Sequence, residues 1–321
     1  MDVTIVIINW NSKDFVAQCL KSIYENTANL RFEVMVADNG SFDGCDDLVR
    51  KRYPHLTFKQ LGRNYGFAKA NNLAARGARG RYLLFLNPDT ELLTDAITGM
   101  ARFLDGHTVY HGAGCRLEDS TGNIQLTCAR TFPSPIRQLS RLIMLYRLLP
   151  KIKAISPVEQ VYWDHRDDRD VDCLSGACFM IRRDVFERIG GFDERIFMYA
   201  DDVDLCYRIW RDGGKIRYLA AQRILHYGAG STPKKKRNHF GALMQRESNL
   251  YFLRKHFGRP NAIAFRWAVG VGSIARMIMS VVLLPMSKVM PRRLRSVQGA
   301  FDKYRVLALW SIGLCKARVP R

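Results

Sequence analysis

The sequence predicts an α/β fold: a mostly parallel sheet with helices on both faces, followed by a helical C-terminal extension. In the first hundred residues, short apolar runs rich in β-branched residues alternate with segments whose apolar residues recur at helical spacing. The predicted strands cover residues 3–10, 32–37, 56–61 and 82–86, and an alanine-rich helix covers 66–79. Because helices separate successive strands, the connections are crossovers, which produce parallel pairing.

Polar residues follow three of these strands directly. Asn9 ends the first strand, Asp38 and Asn39 follow the second, and Asn87 and Asp89 follow the fourth. Each cluster by itself also fits a turn or a helix cap. In open α/β sheets, ligands bind beyond the carboxyl ends of the strands. The recurrence of polar residues at successive strand ends therefore predicts a ligand site.

Three carboxylates fall within four residues at Asp201, Asp202 and Asp204, where an aromatic segment turns into a predicted helix. We expect Asp201 to cap this helix and Asp204 to pair with Arg208 four residues later. Acidic residues in a first helical turn are common and need no catalytic role. The second acidic motif at Asp89 favours a functional interpretation, because transfer from a phosphate-activated donor needs a metal-bound acid and a separate base.

The composition indicates a large core and a polyanionic partner. The 321-residue chain is 47% hydrophobic and carries a net charge of +20, from 50 basic and 30 acidic residues. Such an excess fits nucleic acid, an anionic membrane or phosphate-bearing substrates. The eight cysteines are scattered without a Cys-x-x-Cys pair, which favours reduced core thiols of a cytosolic protein. Because Met1 leads directly into a strand, we expect no cleavable signal peptide.

Later elements are less regular. Further strands are predicted at 173–182, 215–219 and 223–227. Residues 136–153 form a basic, apolar helix candidate. Such a helix fits either a membrane surface or a core helix with a solvated face.

An ordered set of motifs resembles family 2 glycosyltransferases, and within them the bacterial rhamnosyltransferase-like branch. The resemblance spans residues 2–255 and is far more specific than any one motif. It implies a GT-A (Rossmann-like) fold, a nucleotide-sugar donor, a divalent cation (Mg²⁺ or Mn²⁺) and inversion at the anomeric carbon. The motifs that carry it are Thr4–Asn11 (TIVIINWN), Ala37–Gly44 (ADNGSFDG), Arg63–Asn72 (RNYGFAKANN), Asn87–Asp89 (NPD), Gly190–Glu194 (GGFDE) and Tyr199–Leu205 (YADDVDL).

By position, the resemblance implies a role for each candidate site residue. Asp38 would hydrogen-bond the nucleobase, with the rest of the donor nucleotide held by Asn9, Asn11, Asn39, Arg63, Asn64 and Asn87. Asp89 would bind the cation, and Asn87 stands where the family motif often has a first aspartate. His226 resembles a histidine that completes the metal site in some relatives, and it equally fits a partly buried structural histidine.

The resemblance also implies catalytic and acceptor residues. Asp202 matches the second, catalytic position of the family's acidic pair and would take the acceptor's hydroxyl proton. Asp201 is assigned to capping or to acceptor positioning. Ser175, Gly176 and Asp193 are expected to line the acceptor or sugar pocket.

The chain is expected to divide into a catalytic domain at 1–257 and a basic, apolar helical extension at 258–321. Residues 231–237 form a basic loop that either folds over the donor diphosphate or is simply solvated. Residues 267–286 approach the length of a membrane span, but a central arginine costs about 2.5–3.5 kcal/mol on insertion scales. Polar residues along one helix side favour interfacial attachment, with packing against the catalytic domain or a dimer partner as the alternative; they are Arg266, Ser273, Arg276 and Ser280.

The resemblance implies a glycosyltransferase of cell-wall or lipopolysaccharide biosynthesis, and the basic, apolar helices favour a peripheral place on the inner face of the cell membrane. From the resemblance alone, the first expected donor is dTDP-L-rhamnose and the alternative is a UDP-sugar; the expected acceptor is a lipid-linked or cell-surface glycan. A sugar nucleotidyltransferase would need a glycine- and lysine-rich triphosphate loop near its first strand, and the sequence has none. A nucleic-acid-binding protein fits the charge, but the sequence has no recognition helix or aromatic RNA-binding signature. A homo-oligomer stays open.

Overall fold

The computed structural model describes residues 1–228, 239–287 and 291–317, apart from the side chains of 283–297. The described residues form two compact units. The first contains Met1–Phe132 and residues from Asp164 to 228, and the second contains Pro133–Trp163 and residues from 239 to 317. The predicted division at 257/258 stays a prediction. The predicted basic loop at 231–237 lies outside the described residues.

The first unit contains a mixed, mostly parallel sheet with the strand order β3-β2-β1-β4-β10-β6-β11-β5, in which β8 also pairs with β11. Strands β3, β2, β1 and β4 are mutually parallel, whereas β10 runs antiparallel to both β4 and β6. A separate two-stranded sheet joins β7 and β9. The strands are β1 (Val3–Asn9), β2 (Phe32–Asp38), β3 (Thr57–Gln60), β4 (Tyr82–Leu86), β5 (Thr90–Leu92), β6 (Tyr110–Glu118), β7 (Ala129–Arg130), β8 (Arg169–Asp170), β9 (Cys173–Leu174), β10 (Cys178–Arg182) and β11 (Lys215–His226).

Helices of the first unit follow the strands along the chain. They are α1 (Lys13–Asn26), α2 (Cys45–Arg52), α3 (Gly66–Ala75), α4 (Ala96–Gly106), α7 (Arg183–Arg188) and α8 (Asp201–Arg211). The second unit holds α5 (Pro135–Ile143), α6 (Leu145–Leu148), α9 (Phe240–Ser287) and α10 (Pro291–Ser311). The backbone of α9 is non-helical at Gly258, so α9 consists of two helices joined at a kink. Strands β1 and β4 are almost wholly buried, because apolar side chains cover both of their faces.

The four predicted N-terminal strands and their parallel pairing are confirmed. Four predictions are wrong in detail. The strand expected at 173–182 is two strands, β9 and β10, separated by residues 175–177. The helix expected at 66–79 ends at Ala75, before the left-handed Gly77. The two strands expected between 215 and 227 are one strand, β11, whose register against β6 shifts between Leu219 and Arg223. The helix expected at 136–153 is interrupted at Met144, which has a left-handed backbone (φ 60°).

The second unit is organised around α9, on which α5 and α10 both pack. Gly272 allows α5 to approach closely, because a Cβ at this position would clash with Leu142. Arg276 donates hydrogen bonds to the carbonyl oxygens of Leu142 and Arg141. These carbonyls belong to the last turn of α5 and have no partner within their own helix. Arg276, whose charge disfavours a membrane span, therefore forms its hydrogen bonds within the second unit.

Helix α9 carries its polar side inward and an apolar side outward. Ser273 and Ser280 are buried, and Arg266 donates to the carbonyl of Trp310 at 3.1 Å. The polar side that the sequence placed at an interface thus packs within the unit. An apolar stripe on the opposite side is more than half exposed, at Ile263, Trp267, Val271, Ile274, Ile278 and Val282. By length and composition, Phe240–Val282 meets the criterion for a membrane span, as some core helices of soluble proteins also do.

Candidate active site

The candidate site lies where β1, β2 and β4 end side by side. Asn9 and Asp38 are paired in the register of β1 and β2, so their side chains meet at the same edge of the sheet. The amide nitrogen of Asn9 donates to Asp38 at 2.7 Å and to Asp43 at 2.9 Å. Asn9 is fully buried and Asp38 is 1% exposed. The predicted convergence of strand-end polar residues therefore occurs.

The carboxylate of Asp38 accepts hydrogen bonds from several protein groups. It accepts hydrogen bonds from the hydroxyl and backbone N–H of Ser41, the N–H of Phe42, and the amides of Gln60 and Asn9. Burial opposes ionisation, but these hydrogen bonds outweigh it and lower the pKa of Asp38. A nucleobase N–H would have to replace one of these donors, so the predicted nucleobase contact stays a prediction.

The other predicted donor residues gather around a second hydrogen-bonded loop. Asn39 donates to the Asn64 side chain at 3.1 Å and accepts from the N–H of Tyr65 at 2.9 Å. Arg63 is exposed, and its guanidinium lies 4.7 Å from the centre of the Tyr65 ring. Asn11, two residues beyond β1, is exposed and has a left-handed backbone. The backbone N–H of Asn39 donates to the carbonyl of Asn9 at 2.8 Å, which joins this loop to the end of β1.

Asp89 and His226 face each other across the pairing of β5 and β11. The distance from Nε2 of His226 to Oδ1 of Asp89 is 3.5 Å, and both side chains are largely buried. Two ligands of an octahedral ion, each about 2.1 Å from it, lie about 3.0 Å apart. The pair therefore fits a shared Mg²⁺ or Mn²⁺ after a small adjustment. Across the described parts of the chain, no group of three or more Cys, His, Asp or Glu side chains could hold a metal ion.

Asn87 joins this edge of the sheet to the predicted acceptor pocket. Its backbone N–H donates to the carbonyl of Ala177 at 2.9 Å, and its carbonyl accepts from Thr90 at 2.7 Å. Ser175 and Gly176 immediately precede Ala177 and therefore lie beside the end of β4. Backbone pairing thus places two of the acceptor-pocket candidates, Ser175 and Gly176, beside Asn87.

The acidic pair opens helix α8 after two residues with left-handed backbones, Tyr199 and Ala200 (φ 62° and 56°). The capping position is Ala200, so the expectation that Asp201 caps the helix is wrong. Non-glycine residues in this region cost about 1–3 kcal/mol each and concentrate at functional sites. Asp201 and Asp202 are 5% and 9% exposed. The strained approach therefore delivers two carboxyl groups into a largely buried position.

The environments of the two acids differ. Burial, followed by the charge of Asp202, raises the pKa of Asp201 to about 8, which keeps it protonated at neutral pH. Asp202 forms an ion pair with Arg130 and accepts the N–H of Gly176 at 3.0 Å. Asp204 pairs with Arg208 at 2.7 Å, as predicted. Asp202 and Asp204 thus each pair with an arginine, whereas burial favours the protonated form of Asp201.

Sequence reasoning brought some of these residues together correctly and missed others. The N–H of Gly176 contacts Asp202, whereas Asp193, which was predicted to line the same pocket as Gly176, pairs with Arg195 at 3.0 Å. Arg130 was missed: it is delivered by the pairing of β7 with β9, far from any recognised motif. Gln125, which contacts His226, was missed for the same reason.

Solved structures that match this fold include two glycosyltransferases. The mannosyltransferase PcManGT of Pyrobaculum calidifontis, solved with GDP-Man and Mn²⁺, matches with a TM-score of 0.57 at 18% identity. The match covers 96% of this chain and 87% of that one. TarS 1–349 of S. aureus, solved with UDP-GlcNAc, matches with a TM-score of 0.51 at 18% identity, covering 98% and 92%. The fold is therefore GT-A, as predicted.

Comparison of the amino-acid sequence assigns the chain to one family of glycosyltransferases. The model of the family described as Glycosyl transferase family 2 matches residues 4–190, and the chain belongs to this family of glycosyltransferases. An N-acetylglucosaminyl-diphospho-decaprenol L-rhamnosyltransferase of Mycobacterium tuberculosis is 29% identical over 283 residues, which are 83% of this chain and 88% of that one. The rhamnosyltransferase WbbL of Escherichia coli K12 is 29% identical over 237 residues, covering 70% and 83%.

Proposed function

We propose that this enzyme transfers L-rhamnose from dTDP-L-rhamnose, with inversion, to a hydroxyl group of a polyprenyl-diphosphate-linked glycan. The observation that carries the reaction type is the buried acid pair, in which Asp202 pairs with Arg130 and accepts the N–H of Gly176 next to Asp201, whose pKa burial raises. The donor and acceptor rest on the relatives, since two of them are named rhamnosyltransferases and one is named for a diphospho-decaprenol acceptor. The alternative donor is a UDP-sugar, the class of ligand found in the TarS structure.

In this proposal, each group of residues has a distinct task. The strand-end cluster of Asn9, Asp38 and Asn39 forms the nucleoside side of the donor site. Asp89 and His226 hold Mg²⁺ or Mn²⁺, which when bound neutralises charge on the donor diphosphate. Asp202 takes the proton from the acceptor hydroxyl on the side away from the leaving diphosphate.

The donor is tested with a panel of nucleotide sugars and Mn²⁺, scored by melting temperature and by slow donor hydrolysis. A ligand at 100 times its Kd stabilises the folded state by about 2.7 kcal/mol, so the true donor produces a clear upward shift without any acceptor. We expect dTDP-L-rhamnose to give the largest shift. A larger shift with a UDP-sugar would replace the donor, and the absence of any shift and of hydrolysis across the panel would contradict the proposed function.

We further propose that the exposed apolar stripe of α9 rests on an anionic membrane surface, which would bring the enzyme to a lipid-linked acceptor. The stripe recurs every three or four residues, as a face lying on lipid requires. The opposite, polar side of α9 packs and forms hydrogen bonds within the second unit. Arg254 and Arg259 are exposed near the start of the stripe, and the net charge of +20 complements anionic lipid.

We expect the double variant Trp267→Glu/Ile274→Glu to bind anionic liposomes at least about tenfold more weakly than the wild type. Each large apolar side chain contributes about 1.5–3 kcal/mol when buried, and 1.4 kcal/mol is tenfold in affinity. Flotation with vesicles of phosphatidylglycerol measures the effect, and Val109→Glu, at a half-exposed valine of the first unit, is the control. Binding of the wild type should also weaken with salt. Unchanged flotation of the double variant, with a loss of self-association instead, would assign the stripe to a protein interface.

A further inference from the structure

The side-chain amide of Gln125 contacts His226 through both its nitrogen and its oxygen. Its amide Nε2 donates to the backbone carbonyl of His226 at 2.6 Å, and its Oε1 lies 2.7 Å from Nδ1 of the imidazole. Its own backbone N–H donates to the carbonyl of Leu117 at 2.8 Å, which anchors it to β6. Because β6 also pairs with β11, the strand that carries His226, the distance between the two side chains is set by the sheet.

These contacts fix which imidazole nitrogen carries the proton. A backbone carbonyl only accepts hydrogen bonds, so the amide nitrogen of Gln125 must face the carbonyl of His226. The amide oxygen is then left facing Nδ1, and since it too only accepts, Nδ1 must be the donor. In a neutral imidazole with a proton on Nδ1, Nε2 presents a lone pair.

That lone pair is directed toward a carboxylate. Nε2 of His226 lies 3.5 Å from Oδ1 of Asp89, beyond the 2.7–3.2 Å of an N–H···O hydrogen bond. A divalent cation between these two atoms would be coordinated by both of them. Histidines that bind metals commonly donate their other ring N–H to a protein acceptor, which fixes the ring orientation and the tautomer.

We infer that Gln125 is a positioning residue that holds His226 in the Nδ1–H tautomer and so presents Nε2 to a divalent cation shared with Asp89. The inference rests on the proposed metal-binding role of Asp89 and His226. It adds to that role a partner from a different part of the chain, a hundred residues before the histidine.

The first test measures Mn²⁺ affinity of the full chain by the loss of the free-ion EPR signal, without donor or turnover. Gln125→Leu removes both contacts and should weaken Mn²⁺ binding by about 10–100-fold. Gln125→Glu keeps an acceptor for Nδ1–H but cannot donate to the His226 carbonyl, so it should retain Mn²⁺ binding. Gln18→Leu, at an exposed glutamine of α1, is the control. Melting temperatures confirm that each variant is folded.

The second test observes the tautomer in the metal-free protein by ¹⁵N NMR of labelled histidine, with His226→Gln for assignment. We expect a protonated Nδ1 and an unprotonated Nε2 in the wild type and in Gln125→Glu, and a mixture of tautomers in Gln125→Leu. An Nε2–H tautomer or an imidazolium at pH 7.5 in the wild type would overturn the inference. Equal Mn²⁺ affinity of Gln125→Leu and wild type would also overturn it.

These experiments distinguish an error in the proposed metal site from an error in the proposed role of Gln125. If Asp89→Ala leaves Mn²⁺ binding unchanged, the metal site itself is misplaced and the inference about Gln125 falls with it. If Asp89→Ala abolishes binding while Gln125→Leu does not weaken it, the metal site stands and only the positioning role is wrong. Equal losses in Gln125→Leu and Gln125→Glu, with the wild-type tautomer in both, would make Gln125 a structural anchor only.

Discussion

Asp202→Asn is expected to lower sugar transfer to the acceptor by about 10²–10⁴-fold, the usual contribution of general-base catalysis. Asparagine keeps the size of the side chain and an acceptor oxygen for the N–H of Gly176, but it cannot take a proton. Donor binding should therefore stay near the wild-type value. The lost ion pair with Arg130 lowers the melting temperature without unfolding the protein. Transfer rates and donor titrations on the same preparation separate the two effects.

Asp201→Asn is the matched control for this prediction. Because burial raises the pKa of Asp201 to about 8, this residue is already neutral at pH 7, and the amide imitates its native state. Transfer at pH 7 should consequently stay close to that of the wild type. A near-normal rate for Asp202→Asn combined with an inactive Asp201→Asn would show that the two roles are reversed.

The same pair predicts a change in how stability depends on pH. Folded protein keeps a proton on Asp201 up to about pH 8, whereas the unfolded chain releases it near the ordinary carboxyl pKa of 3.8. The folded state therefore binds more protons between these values, and its stability falls as pH rises through this range. Asp201→Asn removes this contribution. It should melt at a higher temperature than the wild type at pH 8 and lose that advantage at pH 4.

Asp89→Ala should reduce turnover by at least about 10²–10³-fold, since a bound divalent ion contributes several kcal/mol of charge stabilisation. It should also remove the part of donor binding that depends on Mn²⁺, while the fold survives. Isothermal titration of the donor with and without Mn²⁺ measures the second effect. Glu91→Gln is the control. Glu91 lies two residues after Asp89, but its carboxylate accepts a hydrogen bond from the Tyr227 hydroxyl at 2.6 Å. Full activity of the wild type in excess EDTA would contradict the metal requirement.

The sequence alone determined the four parallel N-terminal strands of the sheet and the edge at which the site forms. Continuous apolar runs specify strands buried on both faces, and intervening helices force them to be parallel. Parallel strands bring their carboxyl ends together, so Asn9 and Asp38 were predictable as neighbours. Asp204 and Arg208 were predictable because helix geometry brings residues four positions apart together. Each of these follows from local periodicity or from the ordered motifs.

Tertiary structure decided which residues complete the site. Arg130 reaches Asp202 across 72 positions, and Gln125 reaches His226 across 101. No local pattern marks either residue, because both contacts depend on strand pairing between distant segments. Tertiary structure also decided which side of α9 faces outward. Periodicity separates the polar side of a helix from its apolar side, but only the packing of α5 and α10 showed that the polar side is the buried one.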